Sequence, residues 1–269
     1  KETEKNSVAE ERDYSFKRIH SLVFSRSNQQ KEKGLYKKTL RWLSIPFVKV
    51  TLYLPISPNM VSFVGAMFNV LSFIPFALGE FYWGIFGVLM LYLAELSDYV
   101  DGPIARVKKQ FSTLPAHFLT HFYHQGSLSL IFIGLALGIF KNTHQIIYLY
   151  LGFAASFFHL FTMYILEMRK SLLLEYEYEQ FKDAHDGSSV FVENKKQRFI
   201  LKVFVFPMVH LRSIILIAFL ATLIHPNPIK WIVLFYGLFM PFRAILFYGN
   251  SYFNLKKTEN KNKKVRDKV

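Results

Sequence analysis

Residues 97–125 read SDYVDGPIARVKKQFSTLPAHFLTHFYHQ, and the rest of the chain is arranged around them. The stretch holds Asp98, Asp101, Gly102, Arg106, His117, His121 and His124 between two long apolar segments. Asp98 and Asp101 stand three residues apart, which on a helix puts both carboxylates on one face. The segment that leads into them is long and apolar enough to cross a bilayer. Bare charge there is expensive, and ionisable groups at membrane depth face a protein interior or a wet cavity, so the pair predicts a site.

Working outward, the 269 residues are 52% hydrophobic and 17% aromatic, and only 19% are charged. The apolar residues fall in blocks of about 20, the length that spans a hydrocarbon core. The fold class expected is therefore all-α, a polytopic membrane protein. With no cysteine, disulfides, zinc–thiolate sites and thiol nucleophiles are excluded. The formal net charge of +14 collects in short segments beside the apolar blocks. That is how a membrane protein meets anionic lipid, and no nucleic-acid partner is expected.

Residues 1–34 are polar and of mixed charge, and are read as exposed. Residues 35–54 interleave Lys37, Lys38, Arg41 and Lys49 with Leu40, Trp42, Leu43, Phe47 and Val48, which predicts an amphipathic helix lying in the membrane interface. Ser57-Pro58-Asn59 is a helix-start signal. Six spans are predicted within a transmembrane domain at 55–254: 59–78, interrupted by Pro75 and closed near Gly79; 82–101; 118–140; 144–168; 200–224; and 229–252. Residues 255–269 form a basic tail, read as disordered beside anionic lipid. Lys and Arg concentrate before the first span, in the 102–115 and 169–199 connections and in the tail. Both termini and the acidic end of the second span are thus expected on the cytoplasmic side.

Two carboxylates at this spacing suit a hard divalent cation, Mg²⁺ or Mn²⁺, which takes oxygen ligands and keeps substrate phosphates in its shell. Gly102 and Ala105 remove side-chain bulk on the next turn, and Arg106 offers a planar fork to phosphate. The parts fit a metal-bound pyrophosphate, with the cation as Lewis acid and template.

The run Asp98-x-x-Asp101-Gly102-x-x-Ala105-Arg106 resembles the first half of the signature of the CDP-alcohol phosphatidyltransferase family, D-x-x-D-G-x-x-A-R, eight residues, G-x-x-x-D-x-x-x-D. The Pro-Asn start of the first span and the position of the signature at the end of the second also agree. The resemblance implies a membrane enzyme of phospholipid biosynthesis and a homodimer. It would transfer a phosphatidyl or substituted phosphoryl group from a CDP-linked donor, CDP-diacylglycerol or a small CDP-alcohol, to an alcohol with release of CMP. It implies that Asp98 and Asp101 bind metal and the CDP pyrophosphate, and that Gly102, Ala105 and Arg106 cradle the CDP part.

The second half departs from that pattern. Strict spacing puts Pro115, Leu119 and Tyr123 where the family has glycine and two acids. One extra residue puts Ala116, Thr120 and His124 there, and this register is preferred. Thr120 then offers a neutral oxygen to the metal and His124 becomes the general base for the acceptor alcohol. Glu95, one turn before Asp98, is a candidate replacement ligand, or else the partner of a buried arginine. By spacing alone His117, His121 and His124 form one helical stripe that would also suit a transition metal, interfacial hydrogen bonding or a cation path.

Arg212 and Arg243 fall within spans, where arginine marks a partner or a pathway. They are read as ligands of an acceptor or lipid phosphate, or as counter-ions for Asp98, Asp101 or Glu95. His159 and His210 are read as satisfied core residues. The rival to the enzyme is a non-catalytic relative that keeps the CDP-binding half and acts as a binding or scaffold subunit.

Overall fold

The computed structural model describes residues 16–24, 35–110, 114–176, 207, 211–224 and 228–266. Among them every regular element is helical. In chain order these are α1 (Phe16–Phe24), α2 (Leu35–Tyr53), α3 (Pro58–Leu71), α4 (Phe73–Leu78), α5 (Phe81–Lys108), α6 (Leu114–Thr143), α7 (Ile147–Tyr176), α8 (Leu211–Ala221) and α9 (Ile229–Arg266). Five stretches are long and apolar enough to cross a membrane: Pro58–Leu78, Phe81–Lys108, Gly126–Thr143, Ile147–Leu172 and Ile229–Lys256. The described residues are all-helical, and the five apolar helices are consistent with an integral membrane protein. The fifth predicted span, 200–224, is represented by the 11-residue apolar α8; residues 200–206 and 208–210 lie outside the described residues.

The first span begins where its sequence says. Ser57 Oγ accepts the Met60 N–H at 3.2 Å, the bond of an N-cap, and Pro58 occupies the first helical position. Pro75 cannot accommodate the carbonyl four residues back, that of Leu71, and the helix breaks at Ser72. Gly79 closes it in the left-handed region, φ 74°, with its N–H on Phe76 O at 3.2 Å.

The described residues group into two compact units, one from 1–71 and 89–124, the other from 72–88 and 125–269. In the first, Ile19 and Val23 of α1 pack with Ile45, Val48 and Leu52 of α2 and with Val100 and Ile104 of α5. Within the segment read as largely exposed, Ile19 and Val23 are thus buried, at 0% exposure. His20 stacks on Phe24 with ring centroids 4.6 Å apart and meets Trp42 at 4.9 Å. Away from these contacts α2 exposes Leu43, Phe47, Val50 and Tyr53, and it carries Lys37, Lys38 and Lys49 exposed as well.

In the second unit, helices approach through small residues, the usual device where apolar solvent offers no driving force for association. A Cβ on Gly138 would meet the Phe76 carbonyl and the Gly79 backbone, and one on Gly79 would meet Gly138. Asn142 Nδ2 donates to Gly79 O at 2.6 Å and Lys141 Nζ to Leu78 O at 3.0 Å, so α6 also caps the end of α4. Because backbone cannot swing aside as a side chain does, Gly138→Ala is expected to cost about 1–3 kcal/mol. A lowered thermal midpoint of the purified protein would register it.

The last helix differs from its reading too. It continues to Arg266, through the segment read as a disordered tail. Lys and Glu are good helix formers, so the polar sequence after Tyr252 can prolong a helix already nucleated in the span.

Candidate functional site

The signature lies on the last turns of α5, in the first compact unit. Val100 and Ile104 are buried on the face toward α1 and α2, which turns Asp98 outward and leaves Asp101, Gly102, Ala105 and Arg106 partly buried. A hydrophobic stripe on one side and carboxylates on the other thus fix how the helix is rolled. Glu95 is partly buried one turn earlier on the same helix.

Three contacts hold this segment. The Ser62 hydroxyl of α3 donates to Asp101 Oδ2 at 2.6 Å, a charge-assisted distance, and lies 3.2 Å from the Pro58 carbonyl. Lys108 Nζ donates to Leu54 O at 3.0 Å and Ile56 O at 2.7 Å, tying the end of α5 to the α2–α3 connection. Arg41 sits 5.2 Å from the centroid of the Tyr99 ring, beside Asp98, while its Nη1 donates to Val23 O at 3.2 Å. The helix then stops. Lys109 turns left-handed, φ 51°, and the Gln110 N–H closes on Ala105 O at 3.0 Å.

Among the described residues, a Cβ built on Gly102 would meet only Arg106 Nη1, 4.0 Å away. By contrast a Cβ on Gly65, where α3 crosses α5, would run into the Ser97 side chain. One glycine is needed for packing, and the other leaves its side-chain position uncontested by the described residues except for a guanidinium.

Residues 55–118 match the CDP-alcohol phosphatidyltransferase family. That match covers 64 of the chain's 269 residues. The matched segment runs from the start of α3 through the whole first half of the signature, and no curated protein matches the chain.

Thr120 and His124 lie on α6, with side chains outside the described residues, as are those of His117 and His121. Since α6 is helical from Leu114, each of the two possible registers puts its three positions on one face. Among the described residues no group of three His, Cys, Asp or Glu side chains that could hold a metal ion is found. The Asp98 and Asp101 carboxylates are hard oxygen donors, a partial set that would fit Mg²⁺ or Mn²⁺ with water and pyrophosphate oxygens completing the shell. Arg212, partly buried on α8, and Arg243, buried on α9, belong to the other unit. His159 is fully buried there with Phe132 edge-on at 6.4 Å, and His210 lies outside the described residues.

Sequence reasoning missed Ser62, Arg41 and Lys108. The signal for Ser62 was present: a hydroxyl one turn after Pro58 in a span that is otherwise mostly apolar.

Proposed function

We propose that this chain transfers a phosphatidyl or other substituted phosphoryl group from a CDP-linked donor to an alcohol, releasing CMP. The observation that carries the reading is the pairing of Asp101, held by Ser62 at 2.6 Å, with the space between Gly102 and Arg106 on the next turn. A diphosphate needs charge neutralisation and close backbone approach, and the end of α5 offers both.

In this reading Asp98, Asp101 and Thr120 hold Mg²⁺ or Mn²⁺, which when bound supplies charge neutralisation on the pyrophosphate. Arg106 takes a phosphate oxygen and the space over Gly102 and Ala105 accepts the nucleotide. His124 removes the acceptor proton while the acceptor oxygen bonds to the distal phosphorus. The bond from that phosphorus to the bridging oxygen breaks, and the electron pair leaves with CMP. Such transfer rests mainly on positioning and electrostatics. The site faces the cytoplasm, on the distribution of Lys and Arg, and the working form is a homodimer, as the family resemblance implies.

The two acids missing from the second half of the signature favour a second reading, a CDP-binding subunit without turnover. CMP release by the protein in lipid nanodiscs separates the two, with Mg²⁺ or Mn²⁺, CDP-diacylglycerol and a panel of alcohols. Expected is release that chelation abolishes and that His124→Ala lowers by about 100-fold or more. Donor binding with no release for any acceptor would establish the binding subunit instead.

A further inference from the structure

The inward face of α9 carries donors that the described chain does not answer. Arg243 is 4% exposed, and its guanidinium meets Met240 Sδ at 3.9 Å and the Phe247 ring at 4.8 Å from the centroid. Its Nε has no acceptor, and among the described residues no carboxylate stands at ion-pair distance from it. A thioether and a ring face soften the burial of a cation, but neither carries compensating charge.

Asn250 and Ser251 follow seven and eight residues later, which returns them to the same side of the helix. Ser251 is 4% exposed and its Oγ has no partner. Asn250 accepts from Asn254 through Oδ1 at 3.2 Å, yet its Nδ2 finds no acceptor. The strip extends over about 12 Å of helix. Each open atom can donate a proton, and each is costly to bury unanswered. The same face does satisfy its other polar group, since the buried Tyr236 hydroxyl donates to Pro207 O at 2.6 Å.

We infer that this strip of α9 is a phosphate site, in which Arg243 grips the phosphate oxygens and Asn250 and Ser251 donate to the remainder of the same polar group. A guanidinium matches a tetrahedral oxyanion through two parallel N–H bonds, and the flanking amide and hydroxyl suit further ester or hydroxyl oxygens. The phosphate belongs either to a lipid headgroup or to a free phosphate ester, and the two share this chemistry. The inference rests on the proposed function only for what the phosphate is attached to.

The test uses the full chain with no CDP compound present, so its outcome is independent of turnover. One arm measures retention of phosphatidylglycerol by native mass spectrometry after exposure to phosphatidylcholine vesicles containing it. The other measures binding of radiolabelled inorganic phosphate in phosphatidylcholine nanodiscs. Arg243→Gln keeps a donor and much of the length, and should weaken binding at least tenfold. The Asn250→Leu/Ser251→Ala double variant removes two unanswered donors, so it should fold at least as well as the parent and still bind several-fold more weakly. Losses confined to the lipid arm assign a headgroup, and losses confined to the phosphate arm assign a free ester. Parent-like binding by both variants, or no binding by the parent in either arm, would overturn the site.

Discussion

Asp101→Asn is expected to slow CMP release by on the order of 100- to 1000-fold, the scale seen when one charge-stabilising group is removed from a reacting centre. The substitution is close to isosteric, and the asparagine Oδ1 can still accept the Ser62 hydroxyl that now reaches Asp101 at 2.6 Å. What disappears is the negative charge. The thermal midpoint should therefore stay near that of the parent while turnover collapses. The assay is CMP release in nanodiscs beside a melting curve, and turnover at the parent's rate would end the role proposed for the signature carboxylates.

Gly102→Leu should produce the opposite combination, a protein that is at least as stable and has lost its ligand. Among the described residues a Cβ at this position meets nothing closer than Arg106 Nη1 at 4.0 Å, which leaves the larger side chain room to stand. Within a helix, leucine is also favoured over glycine by roughly 0.7–1 kcal/mol. The side chain would fill the space that the nucleotide is proposed to enter. Binding of a CDP compound, followed by calorimetry with the full chain, should weaken more than about tenfold, as a desolvated contact surface is replaced by a clash. Unchanged affinity would show that the nucleotide lies elsewhere.

The parts that sequence makes legible are those set by local chemistry. Ser57 and Pro58 start a helix because one supplies a cap and the other needs no donor, and Gly79 ends one because its backbone turns left-handed at φ 74°. The carboxylate spacing of Asp98 and Asp101 is equally local. Other features depend on which distant residues meet. Ile19 and Val23 sit in a segment too polar overall to suggest burial, and only the apolar side of α2 and Ile104 of α5 give them a core. Ser62 acquires its role from a residue 39 positions away. The length of α9 was hidden for a different reason, because composition reports where a membrane ends but not where a helix does.

That length has a mechanical meaning. At 38 residues α9 is about 57 Å long, nearly twice the thickness of a hydrocarbon core. Its single proline, Pro241, precedes Arg243, so no proline interrupts the rod from Arg243 to Arg266. An axial twist imposed on the buried stretch would be delivered to the basic end through the same angle, as a torsion shaft delivers it, with no proline joint in which it could be lost.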